Sequence, residues 1–106
     1  MTLAELGTLL GTVNVASSYG FWPDAALPPA LPWISYEVTD SNNFAADGRV
    51  YFRLQRVEIN LFTVRKDITT ETALESALDG AELFWQKSET LIADERCYQV
   101  TYSVTI

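Results

Sequence analysis

The chain is 106 residues long, carries a net charge of −7 and is 48% hydrophobic, which fits one globular domain and argues against disorder. No apolar run approaches the roughly 18–20 residues of a membrane span. The first basic residue is Arg49, so the N-terminus lacks the basic region of a secretory signal, and we expect a protein that begins near Met1 and stays in the cytoplasm in which it is made.

The first predicted element is a helix close to the N-terminus. Thr2 and Glu5 form a capping-box pattern, and leucines then recur at helical spacing to give one apolar stripe. Residues 15–32 predict an irregular arm, because the four prolines of the chain lie there and interrupt regular structure. Trp22, within this arm, is either a core residue or an anchor on a neighbouring subunit.

Two extended segments and a polar loop follow the arm. Residues 33–39 alternate as a first strand does, and residues 40–48 are rich in side chains that form turns. Residues 50–64 form the longest extended stretch, in which the apolar alternation changes phase. A β-bulge near Gln55 and Arg56 would let both halves of this stretch face one core.

The C-terminal part predicts a helix and two strands. Thr69 or Thr70 is placed to cap the helix and Gly80 to end it. The pattern predicts a short strand at residues 83–87 and a polar connection at residues 88–95. Residues 96–106 show the clearest strand alternation in the chain. We therefore expect residues 1–106 to form a single α+β domain in the order α-β-β-α-β-β. Its sheet would be mostly antiparallel, with about four strands and two helices packed on one face.

The basic residues are concentrated in one segment. Everything before position 49 carries only acids, whereas five of the seven basic residues lie between positions 49 and 66, namely Arg49, Arg53, Arg56, Arg65 and Lys66. A basic strand on an otherwise acidic chain is self-complementary in charge. This pattern suits a ring in which the basic stripe of one subunit meets the acidic face of the next. The alternative is a solvated strand face with local ion pairs.

The residue inventory argues against catalysis. The chain has no histidine, which excludes Ser-His and Cys-His pairs and imidazole ligands for a metal, and its five glycines are scattered. The single cysteine, Cys97, cannot form an intramolecular disulfide and is interpreted as a small filler in the core or an interface. We expect no enzyme activity, cofactor or metal, and the net charge argues against a specific nucleic-acid partner.

Several segments after position 30 resemble the small tail-completion or tail terminator (head-tail joining) proteins of long-tailed phages and prophages. The matching segments are LPWISY at 31–36, DSNNFAAD at 40–47, VY at 50–51, VEINLFT at 57–63, KD at 66–67 and CYQVTY at 97–102. The chain departs from the pattern at Asn60 and Phe62, where Leu and Tyr are expected, and Leu61 shifts the register.

The resemblance implies a virion assembly protein. Such subunits form rings, commonly sixfold, that cap the tail tube and dock it to the head connector, so the implied partners are further copies of the chain and the tail tube and connector proteins. DNA would pass through the ring, and an acidic lumen would keep it from sticking. The protein would be assembled in the host cytoplasm and end in the virion.

The candidate interface residues lie in the polar loop, the basic stripe and the arm. They are Asn42, Asn43, Phe44, Asp47, Arg49, Arg53, Arg56 and Trp22. Phe44 either tucks into its own domain or contacts a neighbour. A different class of function also fits the composition: a monomeric interaction or inhibitor domain whose acidic surface mimics nucleic acid or binds a basic protein partner. The basic residues between positions 49 and 66 distinguish the two, because a nucleic-acid mimic would avoid them.

Overall fold

The computed structural model describes residues 1–20, 30–41, 44–46, 48–52 and 54–106. The helices are α1 (Leu3–Gly11) and α2 (Ile68–Gly80), and a single 3-10 turn spans Ala93–Glu95. The strands are β1 (Ala16–Tyr19), β2 (Trp33–Ser41), β3 (Phe44–Ala46), β4 (Arg49–Phe52), β5 (Gln55–Thr63), β6 (Trp85–Ile92) and β7 (Cys97–Thr105). Among these residues, no helix has the length and apolar content that a membrane crossing requires.

Five strands form the main sheet, in the order β1-β2-β5-β7-β6, while β3 and β4 form a separate two-stranded hairpin. β1 runs parallel to β2, and every other neighbouring pair in the main sheet is antiparallel. The predicted α+β class with two helices is confirmed. The mostly antiparallel sheet of about four strands and the α-β-β-α-β-β order are matched only in part, because β1 and the hairpin add strands that the sequence pattern does not reveal.

The core lies between the two helices and one face of the main sheet. Leu6 and Leu10 of α1 and Leu74 and Leu78 of α2 are fully buried. They join alternating residues of the central strands in one cluster, including Ile34, Val57, Ile59, Leu61, Val100, Tyr102 and Val104. Because both helices contribute to this one cluster, they cover the same face of the sheet, which we call the helix face. The opposite face is the outer face.

The start of α1 follows the predicted capping box. The Thr2 hydroxyl accepts a hydrogen bond from the backbone N–H of Glu5, and the Glu5 carboxylate accepts one from the N–H of Thr2. Within the helix, a Cβ added at Gly7 would lie 2.8 Å from the Tyr36 hydroxyl oxygen. Glycine therefore lets α1 approach β2 closely.

The long extended stretch predicted at 50–64 is divided into two strands that belong to different sheets. β4 ends at Phe52 and β5 begins at Gln55. The phase change marks this division rather than a bulge within one strand. In the main sheet, a register shift lies in the partner strand β2, between Val38 and Asp40, opposite the start of β5.

The N-cap of α2 differs from the predicted Thr69 or Thr70. Its N-cap is Asp67, whose carboxylate accepts hydrogen bonds from the Thr70 N–H at 3.0 Å and the Thr70 hydroxyl at 2.7 Å. At the C-terminus, the N–H of Leu83 bonds to the carbonyl of Leu78, and Glu82 takes the left-handed conformation with φ 59°. This arrangement is a Schellman motif, in which the left-handed position is usually glycine. The helix therefore ends at Gly80, as predicted, although the left-handed position of the motif is taken by Glu82 and not by a glycine.

Candidate assembly surfaces

The predicted interface loop contains part of the β3–β4 hairpin. Phe44 begins β3, Gly48 forms the turn with φ 73°, and the exposed Arg49 begins β4. The predicted interface residues Trp22, Asn42, Asn43, Asp47 and Arg53 lie outside the described residues. The described hairpin strands pair with each other and not with the main sheet. They therefore form a separate unit that is inserted in the sequence between β2 and β5.

The predicted basic stripe is dispersed. Arg49 lies on the hairpin, Arg56 lies near the start of β5, and Arg65 and Lys66 follow its end. β5 has nine residues, which separates its two ends by about 30 Å. Nε of Arg56 lies 3.5 Å from Oδ1 of Asp40, and both side chains are about half exposed. The described basic residues therefore do not form one continuous stripe, and Arg56 and Lys66 have acidic partners within the subunit.

A network of charged side chains links α2 to β6 on the helix face. Nζ of Lys87 lies 2.8 Å from a carboxylate oxygen of Glu75 and 3.2 Å from one of Glu71. Nζ of Lys66 lies 2.9 Å from Glu71 and 3.1 Å from Glu89. The Glu71 side chain is 4% exposed, so two lysines surround a nearly buried carboxylate. This pairing offsets the desolvation of Glu71.

The network changes the protonation equilibria of its members. Hydrogen bonding to Glu75 raises the pKa of Lys87, and hydrogen bonding to Glu71 and Glu89 raises the pKa of Lys66. Burial opposes the ionisation of Glu75, but hydrogen bonds from Lys87 and Tyr102 outweigh it and lower the pKa of this carboxyl group. Burial, followed by the hydrogen bond to Glu75, raises the pKa of Tyr102. Lys66, Lys87 and Glu75 are therefore charged, and Tyr102 is neutral, throughout the neutral range.

The outer face carries a second polar network, near its centre. Oδ1 of Asn60 accepts hydrogen bonds from Nε2 of Gln99 at 3.1 Å and from the Thr101 hydroxyl at 2.8 Å. On the same face, the rings of Trp33 and Phe62 lie 4.3 Å apart, centroid to centroid. Asn60 is 8% exposed although neither helix covers it. Its neighbours on the outer face therefore shield it.

A concavity of about 460 Å³ lies on the outer face near the hairpin. Its lining includes the Asp40–Arg56 ion pair, Glu58, and the hydroxyl residues Ser103 and Thr105 of β7. Phe84 also lines it and is 79% exposed, more than Ile68 at 67% or Leu91 at 61%. A polar hollow beside an exposed aromatic ring is suited to docking a protein side chain or loop.

The described residues contain no group of three or more Cys, Asp or Glu side chains placed to hold a metal ion. Cys97 is 3% exposed, and burial raises the pKa of its thiol. It packs as a small buried residue, as predicted. The acidic and basic groups of the charged network are paired with one another, and the amide and hydroxyl groups of the outer-face network are hydrogen-bonded to one another, so both networks stabilise the fold.

Sequence reasoning missed two surface features. The strand predicted at 83–87 in fact runs from Trp85 to Ile92, because most of the predicted connection at 88–95 pairs with β7. The exposure of Phe84 was also missed. The signal for the longer strand was the alternation of charged and hydroxyl residues in Lys87-Ser88-Glu89-Thr90. These residues are all polar because β6 is an edge strand, so the segment resembles a loop in composition.

No protein-family model matches the chain, and the comparison with curated proteins found no match. A search of solved structures found a chain described as "Virion of native gene transfer agent (GTA) particle". It shares 17% sequence identity with this chain and a TM-score of 0.62, and the alignment covers 96% of this chain and 82% of that one. At this identity the likeness concerns the fold, and it extends over nearly the whole chain.

Proposed function

We propose that the protein is a non-catalytic structural component of a phage-type virion, acting as a tail terminator or head-tail joining subunit. The observation that carries this proposal is the fold likeness to a chain of a gene transfer agent virion, which spans 96% of the chain. The family resemblance of the segments between positions 31 and 102 supports the same role independently.

In this role, each subunit contributes surfaces to a ring that caps the tail tube and meets the head connector. In the proteins that the sequence resembles, such rings are commonly sixfold. The hairpin with Arg49 and the concavity beside Phe84 lie at one end of the main sheet and are the surfaces we assign to these contacts. An exposed aromatic side chain next to a polar hollow is typical of an interface anchor. The net charge of −7 suits a ring through which DNA slides without binding.

Deletion and complementation in a strain that produces the particles test the proposal. Without the gene, we expect separate heads and tails, and negative-stain images should show tails that lack a head. The wild-type gene should restore joined particles. The Phe84→Ser gene should restore few joined particles. The Ile68→Ser gene should restore them fully, because Ile68 is similarly exposed at 67% but lies at the other end of the domain.

Unchanged yields of joined particles after deletion would exclude the proposed role. The acidic-lumen prediction has its own test. If removing the acidic side chains that face the interior of the assembled ring leaves DNA ejection and tail joining unchanged, the lumen prediction loses its basis.

A further inference from the structure

β6 is a long, regular edge strand. It is last in the order of the main sheet, and within the described part of the chain it pairs with β7 alone. Its eight residues extend about 27 Å, whereas the opposite edge strand, β1, has four residues. Half of the backbone N–H and C=O groups of β6 point away from β7. They form a template on which another strand can pair.

Among the described residues, nothing covers the open edge of β6 by strand pairing, and the strand itself is regular. The strand contains no proline, and all eight residues pair with β7 without a register shift. Its two charged residues are Lys87 and Glu89, which are bonded to Glu71 and Glu75 of α2 and to Lys66. These charges are thus held over the helix face instead of blocking the edge.

The sequence of β6 complements itself in one antiparallel register. In an antiparallel pair of strands, residues directly opposite each other point to the same face of the sheet, and the faces alternate along each strand. A twofold axis that relates two β6 strands must therefore pass beside a residue that lies opposite its own copy. An axis at Lys87 or at Glu89 places that charge opposite its own copy, which is destabilising. An axis at Ser88 instead places Lys87 opposite Glu89.

The remaining pairs in the Ser88 register are also favourable. Trp85 lies opposite Leu91, and Gln86 lies opposite Thr90. Leu91 is 61% exposed in the single chain, so the indole of a second copy would cover an apolar side chain that is otherwise in water. Axes farther from the centre of the strand leave more of β6 unpaired.

We propose that two copies of this chain pair through β6, antiparallel about a twofold axis at Ser88, and so join their main sheets into one continuous sheet. The contact is isologous and is complete with two copies. It cannot close a ring by itself, so it is separate from the contacts assigned above to the virion. It shields the β6 edge from unwanted strand pairing before assembly.

Disulfide cross-linking of the full chain tests the register. In a Cys97→Ser background, Ser88→Cys places the two thiols opposite each other, within the Cα separation of about 4.4–6.8 Å that a disulfide requires. Thr90→Cys is the matched control, since Thr90 is an exposed hydroxyl residue on the same face of β6. In the proposed register, its two copies are about 14 Å apart along the strands.

We expect mild oxidation to convert most Ser88→Cys chains to covalent dimers. The yield of covalent dimer from Thr90→Cys chains should be on the order of tenfold lower. Mixed Gln86→Cys and Thr90→Cys chains should form the heterodimer, because these positions lie opposite each other. Equal cross-linking of the Ser88→Cys and Thr90→Cys chains would overturn the proposal.

Light scattering after size-exclusion chromatography provides the second measurement. The wild-type chain should elute at twice the 11.9 kDa monomer mass, and Glu89→Lys, which places a lysine opposite Lys87, should elute as a monomer. Near-ultraviolet circular dichroism checks that this variant is folded. A wild-type chain that is monomeric at every concentration would overturn the proposal. That result would leave the virion role intact, since the role is tested by particle yield.

Discussion

The Tyr102 hydroxyl donates a hydrogen bond of 2.7 Å to Oε2 of Glu75. This bond joins the fully buried ring of the central strand β7 to α2, and the same carboxylate oxygen lies 2.8 Å from Nζ of Lys87. The core of the domain and the charged surface of its β6 edge therefore meet at one carboxylate.

The first prediction concerns acid sensitivity. The pKa of Glu75 is lower in the folded chain than in the unfolded chain. Its contribution to the free energy of unfolding is therefore complete above the unfolded pKa, about 4.3, and is lost as the pH falls through the folded pKa. We expect Glu75→Gln to lower the free energy of unfolding by about 1 kcal/mol at pH 7. The difference from wild type should shrink near pH 3.

Urea unfolding followed by tryptophan fluorescence at the two pH values measures this effect. Asp94→Asn is the control, because Asp94 is exposed in the 3-10 turn and is not part of the charged network. A Glu75→Gln deficit that is as large at pH 3 as at pH 7 would contradict the assignment to ionisation.

The second prediction compares the two glycines of α1. A Cβ at Gly11 meets no atom within 4 Å, whereas one at Gly7 would lie 2.8 Å from the Tyr36 hydroxyl oxygen. Gly11→Ala should raise the free energy of unfolding by roughly 0.5–1 kcal/mol through helix propensity. Gly7→Ala should give no gain or a loss, and combining it with Tyr36→Phe should recover the gain. If Gly7→Ala alone stabilises as much as Gly11→Ala, the close approach of α1 to β2 is not tight.

The third prediction concerns the end of α2. Glu82 occupies the left-handed position of the Schellman motif, which costs a non-glycine residue about 1 kcal/mol. We expect Glu82→Gly to raise the melting temperature. Ser76→Gly, at an exposed position inside the same helix, should lower it, because glycine there has only the entropic cost. Thermal unfolding of both variants distinguishes the two effects, and a lower melting temperature for Glu82→Gly would refute the assignment.

The fourth prediction concerns the outer-face network. Asn60→Ala removes the acceptor of two hydrogen bonds and leaves the Gln99 amide and the Thr101 hydroxyl without it. We expect a loss of about 1–3 kcal/mol in the free energy of unfolding. Ser103→Ala, at an exposed position on the same face of β7, should change it by less than about 0.5 kcal/mol. Equal effects of the two substitutions would show that the network contributes no specific stability.

Local signals predicted local structure well. The capping box at Thr2 and Glu5 and the alternation of β7 depend on neighbouring residues, and both are found in the structure. β1 was missed because the short segment Ala16–Tyr19 has no clear alternation and pairs in parallel with β2, a contact distant in sequence. The sequence pattern alone does not show such a contact.

The candidate site was predicted less completely than the fold, for a related reason. Arg56 and Lys66 belong to one basic segment of the sequence, but a nine-residue strand separates them and each lies beside an acid from another element. The charged network of Lys66, Glu71, Lys87 and Glu89 forms only when β6 returns beside α2. Charge counts along a chain do not predict which charges neutralise each other in the fold.

The position of β7 has a consequence for the order of folding during synthesis. β7 is the last strand in the sequence but lies between β5 and β6 in the sheet. Until the ribosome has made it, β5 and β6 have no strand to bridge them, and the apolar residues of β5 line an open edge. We therefore expect the nascent chain to depend on rapid completion, or on a chaperone, to avoid aggregation before its last strand arrives.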